Sequence, residues 1–204
     1  METLVDWGVA QHPLRGQTVS GDFYVVQSSE NGFLISVIDG LGHGPHAAAA
    51  AKTAASVLRA NAHESVAQLF NLCHRELRQT RGVAISLASF DKQLKSLCWF
   101  GVGNVEGVLL RPGGHGKLSS ESIPLRGGVV GYQLPPLRPA ISSVRSGETI
   151  IFATDGIRSG FVQGLSPRHL SMKAEQLADC ILHEYDKGTD DSLVLVARCL
   201  GDDS

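Results

Sequence analysis

The sequence predicts an α+β fold in which antiparallel sheets carry their helices on the outside. Three observations point there. Strand-like runs outnumber helical ones. The order is strands, two helices, many strands, one helix and one strand, which is not βαβ alternation. The runs are separated by short segments, as antiparallel neighbours require and parallel crossovers do not. No internal repeat or low-complexity linker interrupts the chain.

Residues 22–27 (DFYVVQ) and 33–39 (FLISVID) flank the turn SSENG and form a hairpin. Pro45 is suited to a first helical position, and the alanine-rich run behind it is small on nearly every face, so that helix can approach a sheet closely. Over 64–80, Val66, Leu69, Phe70, Cys73 and Leu77 form one apolar stripe, an amphipathic helix. Three runs within 82–111 (GVAISLASFD, LKSLCWFGVGN, VEGVLLR) predict an antiparallel meander. Residues 112–139 are rich in Gly and Pro and predict loop with short strands, a segment suited to a substrate-side flap. An edge strand at 140–144, a strong strand at 147–155, a helix at 172–185 and a buried strand at 192–199 complete the chain. The helix carries Leu177, Cys180, Ile181 and Tyr185 on its apolar side.

The 204 residues are 43% hydrophobic and 19% charged, which fits one folded domain over 1–204 and excludes a disordered charged tail. A net charge of −2 gives no support for bulk nucleic-acid binding. Cys73, Cys98, Cys180 and Cys199 form no C-x-x-C pair and lie in apolar segments, as expected of buried reduced thiols in a cytoplasmic protein. The first ten residues lack a basic leader region, and no uncharged apolar run reaches about 18 residues, so no membrane partner is expected.

Acids stand at the strand ends. FLISVIDG (33–40) and TIIFATDG (149–156) both end in Asp-Gly, TDDSLVLV (189–196) opens on two acids, and SGDFY (20–24) places Asp22 at the hairpin start. Any one Asp-Gly alone is ordinary turn chemistry. Together, acids on central strands converge at one sheet edge, where they repel one another and resist ionising. A divalent cation relieves that repulsion, and oxygen ligands suit Mg²⁺ or Mn²⁺. The glycine after each acid is expected to let the backbone turn sharply. Two such ions together activate water and offset phosphoryl charge, which phosphate-monoester hydrolysis needs above most reactions.

Taken in order across 20–196, these segments resemble the motifs of PPM-type (type 2C) metal-dependent serine/threonine phosphatases. Within that family they are most similar to the SpoIIE/RsbU-like branch. GLGHG (40–44) and GVGNVEG (101–107) resemble its stressosome-phosphatase members. The resemblance implies an αββα four-layer sandwich, two antiparallel sheets flanked by helices, with two Mn²⁺ or Mg²⁺ ions at one end. It implies that Asp39 bridges the ions, that the Gly40 carbonyl binds one, and that Asp155 and Asp190 ligate the other. Asp22 would ligate the first ion or hold its water, and Asp191 would stand one layer further out. Catalysis would rest on Asp39, Asp155 and Asp190. The implied substrates are phosphorylated STAS-domain proteins of a bacterial stressosome. A phosphorylated anti-anti-sigma factor is the alternative substrate, and a catalytically dead phosphoprotein-binding module the alternative function.

The sequence departs from the family pattern at several positions. Leu41 stands where many members place a histidine general acid, leaving water or His43 for that role. Ser20 and Val25 replace a glycine and an acid common in related bacterial members. No arginine matches the phosphate-binding one; Arg15 and Arg158 are nearby candidates. Competing readings are weaker. GLGHG misses the G-x-G-x-x-G spacing, and Asp39 would repel a pyrophosphate. His43 and His46 lack a third zinc ligand at motif spacing. Ser36 and Ser159 lack the G-x-S-x-G context of a serine hydrolase.

Overall fold

A computed structural model describes residues 4–114 and 117–200. Residues 1–3, His115 and Gly116 of the predicted flap, and 201–204 lie outside the described residues. One sheet has five strands in the order β1 (Val5–His12), β11 (Ser192–Cys199), β10 (Thr149–Ala153), β6 (Glu106–Pro112) and β7 (Leu118–Ser122). The other runs β2 (Asp22–Ser29), β3 (Gly32–Gly40), β4 (Val83–Asp91), β5 (Ser96–Val102) and β8 (Leu125–Arg126), with β9 (Ala140–Ser143) also paired to β5. All named pairings are antiparallel except β5 with β8.

Helix α1 (Pro45–Ala60) packs on β2 and β3 and against α2 (Val66–Glu76), while α5 (Ala174–Tyr185) packs on β1 and β11. Two one-turn helices, α3 (Phe161–Gly164) and α4 (Pro167–Leu170), precede α5. The layers are therefore helix, sheet, sheet, helix, as the family resemblance implied.

Strand alternation builds three cores from this arrangement. On β3, Phe33, Ile35 and Val37 point between the sheets, where they meet Phe152 of β10 and Leu193 and Leu195 of β11. Leu34 and Ile38 point the other way, under α1 and α2. Ile151, Val194 and Val196 lie under α5. The predicted stripe of α2 is buried throughout, from Val66 to Leu77. The Ser65 hydroxyl accepts from the Gln68 amide at 3.3 Å and starts that helix. Phe70 meets Phe100 edge-on at 5.6 Å between centroids, a contact that contributes about 1 kcal/mol beyond its burial.

The structure corrects three expectations. Residues 82–111 are not one meander. β4 and β5 pair, but β6 leaves for the other sheet and pairs with β10 and β7. Gly103, at φ +104, turns the chain, and β9 and β8 take the free side of β5. A short connection does not separate a hairpin from a crossover between stacked sheets. The second correction is β1, absent from the sequence reading, which covers the edge of β11 from Val5 opposite Cys199 to His12 opposite Ser192. The third concerns the thiols. All four are free, but only Cys73 and Cys199 are fully buried, and burial pushes both up to about 12. Cys98 and Cys180 are half-buried.

Candidate metal centre

The same alternation that builds the inter-sheet core carries the acids to its end. Asp39 follows Phe33, Ile35 and Val37 at the same parity, so its side chain faces the opposite sheet. Asp22 is its cross-strand partner in the β2–β3 register and shares that face. Thr154 and Asp155 continue β10 beyond Ala153, and Asp190 and Asp191 immediately precede β11. The strand ends from both sheets therefore meet at one end of the sandwich.

Both Asp-Gly pairs prove to be close approaches and not positive-φ turns, since neither Gly40 nor Gly156 has a left-handed backbone. A Cβ on Gly40 would stand 2.2 Å from the Ala47 carbonyl oxygen of α1. A Cβ on Gly156 would stand 2.1 Å from the Asp191 carbonyl oxygen. Each glycine lets a neighbouring backbone come up against its acid.

Asp22 is buried, and its Oδ2 accepts a 2.7 Å hydrogen bond from the Thr154 hydroxyl. Burial, then the charge of Asp39, push its carboxyl up to about 8, while the Thr154 bond pulls the other way. Asp39 is half-buried. Burial, then the charges of Asp155 and Asp190, raise it to about 7. Asp155 and Asp190 are exposed. Asp190 Oδ1 accepts from the Asp191 amide at 2.8 Å.

Asp191 is buried and fully engaged. Its Oδ1 accepts from the Leu14 amide and its Oδ2 from the Gly21 amide, each at 2.7 Å. It holds the β1–β2 connection against the start of β11. His43 is exposed between Gly42 and Gly44, with no hydrogen-bond or ion-pair partner among the described residues. Arg158 is committed elsewhere: it donates to the Glu184 carbonyl and lies 5.9 Å from the centre of the Tyr185 ring. Arg15 is exposed and follows Leu14, at the edge of the acid end.

Sequence reasoning missed Asn104. Its Nδ2 donates to Asp155 Oδ2 at 2.8 Å, and its side chain also acts on Asp39, pulling that carboxyl down. It thus joins an acid of each sheet from the β5–β6 crossover. Its only sequence signal was its place in GVGNVEG, and the predicted meander put it in an ordinary hairpin turn. Lys187 is a second addition, with its ammonium on the Asp155 carbonyl at 2.6 Å.

Among the described residues no three His, Cys, Asp or Glu side chains form a ready-made ligand group. The fit to a metal rests on electrostatics. Two carboxylates raised well above their ordinary range by burial and by each other, in a set offering only oxygen, match a hard divalent cation.

Comparison with known proteins identifies the family and the fold. Residues 29–200 match the family model described as Stage II sporulation protein E (SpoIIE). The chain is 24% identical over 161 residues to phosphoserine phosphatase RsbX of Bacillus subtilis (strain 168), covering 76% of this chain and 79% of that protein. Among solved structures, one described as "The bacterial stressosome: a modular system that has been adapted to control secondary messenger signaling" superposes with TM-score 0.86 at 30% identity, covering 95% of this chain and 99% of that one. RsbX in complex with magnesium superposes with TM-score 0.83 at 20% identity, over 98% and 97% of the two chains. The catalytic domain of the serine/threonine protein phosphatase PstP with two manganese ions gives 0.65 at 15% identity, over 97% and 99%.

Proposed function

The chain belongs to the SpoIIE family of PP2C-type protein serine/threonine phosphatases, and from that premise we propose that it is a Mn²⁺- or Mg²⁺-dependent enzyme that removes phosphate from STAS-domain stressosome proteins and so resets a bacterial stress-signalling complex. The observation that carries this reading is the cross-strand pair Asp22–Asp39, buried at the end of the inter-sheet core with Asp155 and Asp190 acting on it electrostatically. The magnesium bound by RsbX and the two manganese ions bound by PstP support the choice of ions.

In this reading Asp39, the Gly40 carbonyl and Asp22 would hold one ion, and Asp39, Asp155 and Asp190 would hold the other. The ions would supply an activated water and positive charge to offset the phosphoryl group. Thr154 fixes the Asp22 carboxylate, and Asn104 holds Asp39 and Asp155 at a set separation. His43, on its exposed turn beside Asp39, donates the proton that the leaving serine or threonine oxygen needs. The shared inter-sheet core supports residues 1–204 as one phosphatase domain. No helix among the described residues is long and apolar enough to cross a membrane.

The deciding experiment has two stages. Turnover of p-nitrophenyl phosphate with and without Mn²⁺ separates an enzyme from a binding module. Side-by-side dephosphorylation of a phosphorylated stressosome scaffold protein and a phosphorylated anti-anti-sigma factor, both from the same organism, then assigns the substrate. The scaffold protein is expected to turn over faster; the reverse order moves the assignment to the anti-anti-sigma factor.

A further inference from the structure

A cavity of about 360 Å³ opens beside the acid end, between His46, Ala50 and Thr53 of α1 and Gln79, Thr80 and Arg81 of the α2–β4 connection. No acidic side chain lines it. Its position follows from the β3–β4 register. Gly40 lies opposite Val83, and the Leu41 amide donates to the Gly82 carbonyl at 3.1 Å, so Arg81 comes abreast of Gly42. A Cβ on Gly42 would stand 2.8 Å from Arg81 Nη1, so the guanidinium rests on the turn that leaves Asp39.

The free polar groups in this cavity are all able to donate. The Thr53 hydroxyl is committed to the Ala49 carbonyl at 2.9 Å, and the Thr80 hydroxyl to the Leu77 carbonyl at 2.7 Å. Arg81, Gln79 and His46 have no hydrogen-bond or ion-pair partner among the described residues. An exposed, unpaired guanidinium with an amide and an imidazole beside it suits an oxyanion, which it can hold through paired hydrogen bonds. The cavity follows α1 from His46 to Thr53 and is lined by none of the clustered acids, so it neighbours the acid end without being part of it.

We propose that this cavity is a substrate-recognition subsite, with Arg81 its anion-binding group, for an acidic side chain flanking the scissile phosphoserine. The acidic group is a carboxylate or a second phosphate. The inference rests on the phosphatase reading above. Its role is selection: a cation standing beside the reacting site receives an acidic flank and offers nothing to a neutral or basic one.

The test uses phosphoserine peptides identical except for glutamate, a second phosphoserine, alanine or lysine two and three residues from the scissile site. With Mn²⁺-loaded wild-type protein, kcat/KM should favour an acidic flank over alanine by about tenfold. Preference for glutamate alone assigns the carboxylate, and preference for phosphoserine alone assigns the phosphate. Arg81→Ala should flatten the profile, and Arg81→Glu should move the preference to the lysine peptide. A flat wild-type profile, or an acidic preference that survives Arg81→Ala, overturns the subsite and leaves the phosphatase reading intact. Inertness of the wild type toward every peptide and toward p-nitrophenyl phosphate overturns both.

Discussion

The Thr154 hydroxyl, on one sheet, donates a 2.7 Å hydrogen bond to the buried Asp22 carboxylate on the other. The same oxygen accepts from the Leu193 amide at 2.8 Å. One side chain therefore satisfies a backbone donor of its own sheet and steers a ligand candidate of the facing sheet.

Thr154→Val keeps the volume and removes both bonds. The Leu193 amide loses a buried acceptor, at a cost of about 1–3 kcal/mol in stability. Asp22 loses the one interaction that lowers its pKa, so its carboxylate forms less readily. Mn²⁺ affinity measured by calorimetry at neutral pH should fall about tenfold or more. Wild-type affinity in the variant would remove Thr154 from the site's support.

Asp39→Asn should abolish phosphatase activity, a loss on the order of 10²–10³-fold or more, while circular dichroism stays native. Asp155→Asn and Asp190→Asn should follow it, and Asp191→Asn should cost stability more than chemistry, because its two amide contacts are structural. Metal-free Asp39→Asn should melt no lower than metal-free wild type, since one like charge leaves a repulsive group. Full activity of Asp39→Asn at saturating Mn²⁺ contradicts the bridging role.

Metal-free protein should lose stability as pH rises. Asp22 and Asp39 titrate near 8 and 7 when folded, against 3.8 unfolded, so between about pH 4 and pH 8 the folded state holds protons that the unfolded chain has released. Stability then falls across that window, by on the order of a few kcal/mol. Saturating Mn²⁺ should remove the slope and release protons on binding. Thermal melts at several pH values, with and without metal, measure it. An apo slope of the opposite sign excludes the crowded-carboxylate picture.

Asn104→Ala should lower Mn²⁺ affinity or kcat by about 10- to 100-fold with little change in melting temperature, because the side chain is exposed and its bonds go to acids. Asn104→Gln should not rescue, since the longer chain displaces the amide. An unchanged Mn²⁺ titration in Asn104→Ala removes its positioning role.

His43→Ala should slow phosphoserine hydrolysis by about 10²–10⁴-fold if its imidazole protonates the leaving oxygen. The loss should shrink for p-nitrophenyl phosphate, whose leaving group needs little protonation. Equal losses on the two substrates make His43 structural.

The four ligand candidates Asp22, Asp39, Asp155 and Asp190 were legible in the sequence because each sits at the end of an apolar run, and an apolar run ending in an acid is visible without coordinates. The three long helices and the last strand were legible for the same reason of local periodicity. Asn104 was not, because its role depends on β6 crossing to the opposite sheet, which the length of the 103–105 connection does not reveal. Arg81 was hidden similarly, since only the register that sets it opposite Gly42 brings it to the acid end. The strand β1 carried a weak signal, with Asp6, Trp7 and Gly8 breaking an already short apolar run.

Asp191 receives the amides of Leu14 and Gly21, across 177 and 170 residues of chain. That span has a consequence during synthesis. The β1–β2 connection leaves the ribosome well before the carboxylate that secures it. Until the C-terminal strand is free to pair, the first acid has no fixed bearing relative to the others, and the long-range contacts that set it form slowly. A chain that stops short of Asp191 therefore lacks the carboxylate that anchors the segment leading into Asp22, and the acids of the two sheets lose that tie.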